Sequence, residues 1–264
     1  MTPRVLIPVA LGTNRDHDLA VAFKAAGAEA ECVPLTVLRS GEVRLDDFQI
    51  LGVPGGFSYG DALGAGRLLG LDLAGWFADQ LHEAVARQMP IIGICNGFQA
   101  LVRAGLLPRN TQPDGESSIR TGAVLTENLS HKFECRWVSL DPVSKRSVWT
   151  SELTEPLRCP IAHGEGRFVS DDLEVLEAAD QVALRYVNAD GSPAAEHYPA
   201  NPNGSAGDVA GVCDPSGLVL GLMPHPEDHV NHRQDPLRGR GPDGQGGGGL
   251  CLGLFAAGVA AVSA

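Results

Sequence analysis

Nine residues, Ile91-Ile92-Gly93-Ile94-Cys95-Asn96-Gly97-Phe98-Gln99, constrain the fold of this chain more than any other segment. A short, wholly apolar run stops at a cysteine, glycines stand two positions before and after it, and a helical pattern resumes at once. This is Gly-x-Cys-x-Gly at a strand–turn–helix junction. A nucleophile on such a turn is held in a strained backbone conformation, and the flanking glycines let neighbouring chain approach closely. The side chain then projects from the carboxyl edge of the sheet, where ligands of open α/β sheets bind. A helix N-terminus behind a thiol also favours the thiolate, the reactive form. The alternative is a buried cysteine that merely ends a strand. Both glycines and the strand–turn–helix context favour the nucleophile.

The surrounding pattern agrees with an α/β fold. Residues 5–9 form an apolar burst that ends at Gly12-Thr13-Asn14. Leu19, Ala22, Phe23 and Ala26 then recur at helical spacing, closed by Gly27 as a glycine just past a helix end would close it. Residues 29–35, 48–53 and 90–94 read as strands. Residues 63–88 read as mainly helix, broken near Gly70 or Gly75, and residues 98–103 as helix again. Apolar strands alternating with helices imply a parallel sheet covered on both faces. In the second half, residues 135–140, 159–162, 181–187, 209–213 and 218–223 are short strand-like runs between turn residues. They predict an antiparallel addition to the same sheet, without a linker, so that residues 1–264 form one domain. Residues 109–119 and 188–208 read as polar loops. Residues 231–249 are rich in Gly and Pro and read as a mobile segment. The C-terminal apolar run is short and reads as a packing helix.

Charge and cysteine usage exclude several classes. Twenty basic against 32 acidic residues give a formal charge of −12. Such a surface repels phosphate backbones, which argues against nucleic acid as a partner. The six cysteines, Cys32, Cys95, Cys135, Cys159, Cys213 and Cys251, form no C-x-x-C pair, so neither a zinc framework nor a small disulfide scaffold is expected. Buried free thiols in a reducing cytoplasm are the reading for all but Cys95. No run is long enough to span a membrane, and no leader is recognised at the N-terminus. None of the lysines, Lys24, Lys132 and Lys145, follows a glycine, and no Gly-x-Gly-x-x-Gly follows the first strand. A phosphate-binding loop is therefore not expected. A reaction that needs ATP would need a partner to bind it.

Met223-Pro224-His225-Pro226-Glu227 supplies a base and an orienter. Pro226 biases His225 toward extended backbone, and residues two apart in an extended chain share a face. Glu227 could therefore fix the His225 imidazole tautomer, giving the order nucleophile, base, orienter in Cys95, His225 and Glu227. A Pro-rich surface turn is the alternative. A rival nucleophile lies in Gly56-Phe57-Ser58-Tyr59-Gly60, but Pro54-Gly55 separates it from its strand. Gly55 and Gly56 read better as a loop whose N–H groups, with that of Asn96, form an oxyanion hole, where one donor is worth ~3 kcal/mol to a transition state. A metal cluster of His225, Glu227, Asp228, His229 and His232 is disfavoured because Pro226 spoils a helical ligand face. His163-Gly164-Glu165-Gly166-Arg167 is by itself a tight solvated turn, and becomes a substrate loop only if it lies beside Cys95.

These motifs together resemble class I, triad-type glutamine amidotransferases. Within that class they are similar to the family of glutaminase subunits serving formylglycinamidine ribonucleotide synthesis in purine biosynthesis. The resemblance runs from about residue 5 to residue 227. The cysteine elbow and His225-Pro226-Glu227 belong to the whole class. Gly55-Gly56-Phe57-Ser58-Tyr59-Gly60-Asp61, Ala162-His163-Gly164-Glu165-Gly166-Arg167 and Asn201-Pro202-Asn203-Gly204-Ser205 point to the purine family. The resemblance implies a flavodoxin-like open twisted sheet with a parallel core, antiparallel additions and helices on both faces. It implies Cys95 as nucleophile, His225 as base and acid, Glu227 as orienter, and Gly55, Gly56 and Asn96 around the oxyanion. Gln99 matches the position that contacts the amino-acid end of the substrate. Substrate contacts from His163, Gly164, Glu165 and Gly166 are expected with it. Glutamine is the implied substrate, and a synthetase subunit holding ATP and Mg, plus a small bridging subunit, are the implied partners. No cofactor or metal is expected in this chain. Asp228 stands where the family usually has Arg, Arg15 replaces a common Cys, and Ala62 and Gly64 replace bulkier residues.

Three functions remain distinct at this stage: a partner-coupled glutaminase, a stand-alone cysteine amidase on the same scaffold, and a non-catalytic module. The intact set Cys95, His225 and Glu227 argues against the third.

Overall fold

The computed structural model describes residues 1–108, 110–111, 117–118, 122–238 and 250–263. Its centre is a nine-stranded sheet. The first strands are β1 (Arg4–Val9), β2 (Glu29–Pro34), β3 (Ile50–Val53) and β4 (Ile91–Ile94). Two-residue strands β5 (Asn110–Thr111) and β6 (Ser117–Ser118) pair only with each other. They are followed by β7 (Ala123–Thr126), β8 (Glu134–Pro142), β9 (Leu157–His163), β10 (Arg167–Ser170), β11 (Val182–Val187), β12 (Val209–Cys213) and β13 (Val219–Leu222). The sheet order is β2-β1-β3-β4-β13-β12-β11-β8-β9, with β7 and β10 forming a separate antiparallel pair.

The parallel part follows the doubly wound order that leaves a crevice where the strand order reverses, beside β1 and β3. β3, β4 and β13 are buried along their whole length. Strands covered on both faces read as unbroken apolar runs, which is why these three are Val/Ile/Leu segments. The helices are α1 (Asp16–Ala25), α2 (Leu35–Ser40), α3 (Arg67–Gly75), α4 (Ala78–Ala86), α5 (Asn96–Arg103), α6 (Leu173–Ala178) and α7 (Leu252–Ala260). Alternation sorts them by face. Gly52 meets Leu19 and Phe23 of α1, whose Phe23 packs edge-on to Phe255 of α7 at 5.2 Å. On the opposite face, Gly93 and Gly221 meet Leu101 and Phe98 of α5. The C-terminal apolar run is therefore the packing helix that its composition predicted.

One expectation about the sheet is corrected. Residues 218–223 were grouped with the antiparallel additions, but β13 pairs in parallel with β4, Gly221 opposite Gly93 and Leu222 opposite Ile94. The antiparallel part begins only at β12 and continues through β11, β8 and β9. Periodicity could not separate the two cases, because a wholly buried strand reads the same whichever way its neighbour runs.

Other differences are local. Residues 63–88 form two helices, broken at Trp76 and Phe77 beyond Gly75, whereas Gly70 lies inside α3 because a Cβ there would come 2.7 Å from Arg103 Cβ. Of the polar loop 188–208, residues 189–193 and 195–199 are exposed, whereas Asn201, Asn203 and Ser205 are buried. Cys32 and Cys135 are exposed, whereas Cys159, Cys213 and Cys251 are buried. Of the predicted polar loop 109–119, residues 109, 112–116 and 119 lie outside the described residues. So do residues 239–249 of the Gly/Pro-rich segment. Residues 231–238 precede them as turns, anchored by Arg158 Nη1 on Asp235 Oδ1 at 2.7 Å.

Candidate active site

Cys95 sits between β4 and α5 with φ 51° and ψ −107°, a backbone conformation that non-glycine residues rarely adopt. It persists because close packing fixes both sides. A side chain on Gly97 would overlap the Val53 carbonyl oxygen, and one on Gly93 would meet Gly97 at 2.9 Å. Cys95 N–H donates to Leu222 O at 2.8 Å, so the thiol leaves the sheet at the end of β13 as well as of β4.

The parallel pairing of β13 with β4 then determines the rest. The chain leaving β13 passes through Met223 and Pro224 to His225, directly beside the Cys95 turn. His225 N–H donates to Pro160 O on β9 at 2.8 Å, which locks this extended stretch in place. His225 Nδ1 and Glu227 Oε1 are 2.7 Å apart, and both side chains are buried. Burial by itself would lower the proton affinity of the imidazole. The Glu227 carboxylate and Cys95 outweigh it and leave the His225 pKa well above its ordinary value, with Cys95 also in hydrogen-bond reach of the ring. The imidazolium in turn stabilises negative charge on Cys95 Sγ, the charge of an attacking sulfur.

Gly55 borders both Cys95 and His225. A Cβ there would lie 2.8 Å from His225 Cε1 and 3.4 Å from Cys95 Cβ. Gly56, at φ +122°, is packed on Asn14 and lines the same space. Asn96 opens α5, and the first N–H groups of a helix have no intrahelical acceptor. The Asn96 side chain turns elsewhere. Its Oδ1 accepts from Ser58 N–H at 3.3 Å and from Ser58 Oγ, and its Nδ2 donates to Asp61 Oδ1 at 2.9 Å. Ser58 is thus a buried donor to Asn96, which removes it as the rival nucleophile.

Cys95, Gly56 and Gln99 line a cavity of about 150 Å³ closed by His163, Gly164 and Glu165. That volume suits a small amino acid and not a ribonucleotide. The loop after β9 therefore lies beside Cys95, the condition under which the sequence made it a substrate loop. Gln99 spends its amide inside the protein, donating to Glu165 O at 2.6 Å and accepting from Asn96 Nδ2 at 3.2 Å. Gly166 lies against the His163 ring, too close for any side chain. His163 is buried, its Nε2 has no partner among the described residues, and burial first and His225 second depress its pKa to about 3. It is neutral at any ordinary pH.

Several residues shape this loop that the sequence did not assign to it. Asn128 donates to His163 O at 2.8 Å and accepts from Gly166 N–H at 3.0 Å. Asn203 Nδ2 donates to Gly166 O at 2.8 Å, and Ser205 Oγ accepts from Phe168 N–H at 2.9 Å. Phe57 and Phe133 stack at 6.5 Å over the cavity mouth. The Asn201–Ser205 motif was legible, but its role was not.

The five residues weighed as a metal cluster do not converge. His225 is engaged by Glu227, His229 Nδ1 faces Arg158 O, and His232 is exposed. Among the described residues no group of three His, Cys, Asp or Glu could hold a metal ion. Arg15 and Asp228, two departures from the family pattern, form an ion pair with each other. Among the described residues no helix is long and apolar enough to cross a membrane.

Comparison with known proteins places this site in a family. Residues 2–260 match a model described as the CobB/CobQ-like glutamine amidotransferase domain. The chain is 45% identical to the phosphoribosylformylglycinamidine synthase subunit PurQ of Treponema denticola, over 98% of each chain. It is 37% identical to the subunit of the same name from Methanococcus maripaludis, over 89% of this chain and 86% of that one. Among solved structures, that of PurLQS from Thermotoga maritima contains a chain with a TM-score of 0.73 and 32% identity, covering 100% of both.

Proposed function

The chain belongs to the CobB/CobQ-like glutamine amidotransferases, and from that premise we propose that it is the glutaminase subunit of phosphoribosylformylglycinamidine synthase. It hydrolyses glutamine and passes the ammonia to a synthetase subunit, which converts formylglycinamide ribonucleotide to the amidine with ATP. The observation that carries the reading is the buried His225–Glu227 pair set against Cys95 by the parallel β4–β13 pairing. The cavity at Cys95 supports it by being of a size for an amino acid such as glutamine. Relatives bearing the PurQ name and the PurLQS assembly support a synthetase partner and a small third subunit. None of the six cysteines is in a disulfide bond, which fits a reducing cytoplasm.

The chemistry follows from the geometry. Cys95 Sγ, as thiolate, attacks the side-chain amide carbon of glutamine, and its electron pair forms the C–S bond. The carbonyl oxygen gains the negative charge beside the N–H groups of Gly56 and Asn96, with Gly55 leaving room for the adduct. As the C–N bond breaks, the His225 imidazolium gives its proton to the departing nitrogen, which leaves as ammonia. His225, now neutral, takes a proton from water. The hydroxide equivalent attacks the thioester, glutamate leaves and Cys95 Sγ is released. Glu227 holds the tautomer that makes both transfers possible. We assign the unsatisfied His163 Nε2 and the backbone of Gly164 and Glu165 to the substrate, with Gln99 holding that loop and Gly166, whose N–H and carbonyl are taken by Asn128 and Asn203, shaping it without touching substrate.

Glutamate release by wild type and Cys95→Ala, each with and without synthetase partner, ATP and ribonucleotide, tests this. Activity that rises with the partner and vanishes in Cys95→Ala is expected. Equal activity in the isolated chain would make it a stand-alone amidase, and activity surviving Cys95→Ala would remove the nucleophile.

A further inference from the structure

A short segment joins the two halves of the site. Residues 12–15 leave β1 and press on the oxyanion loop. Gly12 is so near Phe57 that a side chain would overlap its carbonyl oxygen, and Phe57 N–H donates to Gly12 O at 3.3 Å. Thr13 bridges Gly56, and a Cβ on Gly56 would lie 2.6 Å from Asn14 Oδ1. The same segment ends in Arg15, whose guanidinium donates to Asp228 Oδ2 and stands 3.1 Å from Asp18 Oδ2. Asp228 adjoins Glu227, and its N–H donates to His225 O at 3.2 Å. The Arg15 and Asp228 side chains are only 31% and 22% exposed, so solvent screens their attraction less than at an open surface.

We propose that Arg15 is a positioning residue for the glutaminase reaction: seated by the oxyanion loop, it pins Asp228 and so fixes the turn on which Glu227 orients His225. The proposal rests on the reading of Cys95, His225 and Glu227 given above. One short segment would then set the spacing between the two sides of the bond being cleaved, the oxyanion donors and the proton donor. A small error in that spacing is costly to rate, while Arg15 and Asp228 themselves stand outside the lining of the substrate cavity.

The charges around Asp228 give the proposal a pH signature. Arg15 and Asp18 face it from the start of α1, Glu227 and His225 from its own turn, and Cys159 from β9; Cys251, which opens α7, is turned to His229. Burial and then Glu227 lift the Asp228 pKa to about 6, against the opposing pull of Arg15 and His225. The ion pair is therefore made above about pH 6 and is lost as Asp228 takes a proton below it. Without Arg15, that protonation moves to higher pH.

The test is glutamine-dependent glutamate release in the assembled complex, with ATP and ribonucleotide, across the acid and neutral range. Arg15→Ala, Asp228→Asn, their double variant, the swap Arg15→Asp/Asp228→Arg and Arg15→Lys are compared with wild type and Cys95→Ala. Each single removal is expected to lower kcat about tenfold with KM for glutamine within about twofold, and the double to be no worse than either single. Arg15→Ala is expected to remove the part of the acid limb of kcat that protonation of Asp228 produces in the wild-type complex. The swap, or Arg15→Lys should the swap not fold, is expected to restore kcat to within about threefold of wild type. Additive losses would overturn the proposal, as would failure of both rescues. So would a kcat that falls only with the thermal midpoint while the pH profile stays in place. A wild-type complex that releases no glutamate, or a Cys95→Ala complex that does, would overturn the glutaminase reading itself and this proposal with it.

Discussion

Gly55 has no room for a side chain, since the nearest atoms a Cβ would meet are His225 Cε1 at 2.8 Å and Cys95 Cβ at 3.4 Å. The ring cannot yield without breaking its 2.7 Å contact with Glu227. Gly55→Ala should therefore leave the fold intact and lower kcat about 100-fold, the cost of misplacing a catalytic group by a fraction of an ångström to one ångström. Circular dichroism and steady-state kinetics in the complex check this, and a kcat within threefold of wild type would remove Gly55 from the site. The glycines on either side of Cys95 were legible because only glycine permits such approach. The role of Asn128 was not, because one asparagine buried under a loop leaves no pattern along the chain.

At the scale of elements, two glycines separate packing from catalysis. Gly221 on β13 lies under Phe98 of α5, and Gly258 on α7 lies under Trp149; at each, a Cβ would overlap the aromatic ring. Gly221→Ala and Gly258→Ala should each destabilise by about 1–3 kcal/mol, the usual cost of overpacking a core. Only the first should also lower activity in the folded fraction, because α5 starts at Cys95 and β13 leads to His225. Urea unfolding beside kinetics on the folded protein separates the two, and equal loss of kcat in both would contradict it. Helix and strand positions along the first half were legible from apolar period. The partner of β13 was not, because pairing direction is decided by which edge of β4 is open once β3 has taken the other.

The whole molecule should respond to acid through His163. Its folded pKa, about 3, lies below the unfolded value of 6.5. Below pH 6.5 the unfolded chain binds a proton that the folded chain refuses, so stability present above that value is lost as pH falls toward 3. The loss amounts to about 2 kcal/mol between pH 6.5 and about pH 5. His163→Gln should flatten that slope, as read from urea midpoints at neutral and acid pH; an unchanged slope would place the linkage elsewhere. The sequence by itself determined the α/β class, the Gly-x-Cys-x-Gly turn and the pairing of His225 with Glu227, because each depends on residues within a few positions of one another. Only the tertiary structure decided that His225 meets Cys95, that the loop after β9 closes the cavity at Cys95, and that Arg15 reaches Asp228. Those contacts join residues from about 70 to more than 200 positions apart, and they exist only once a buried parallel sheet has chosen the neighbours of each strand.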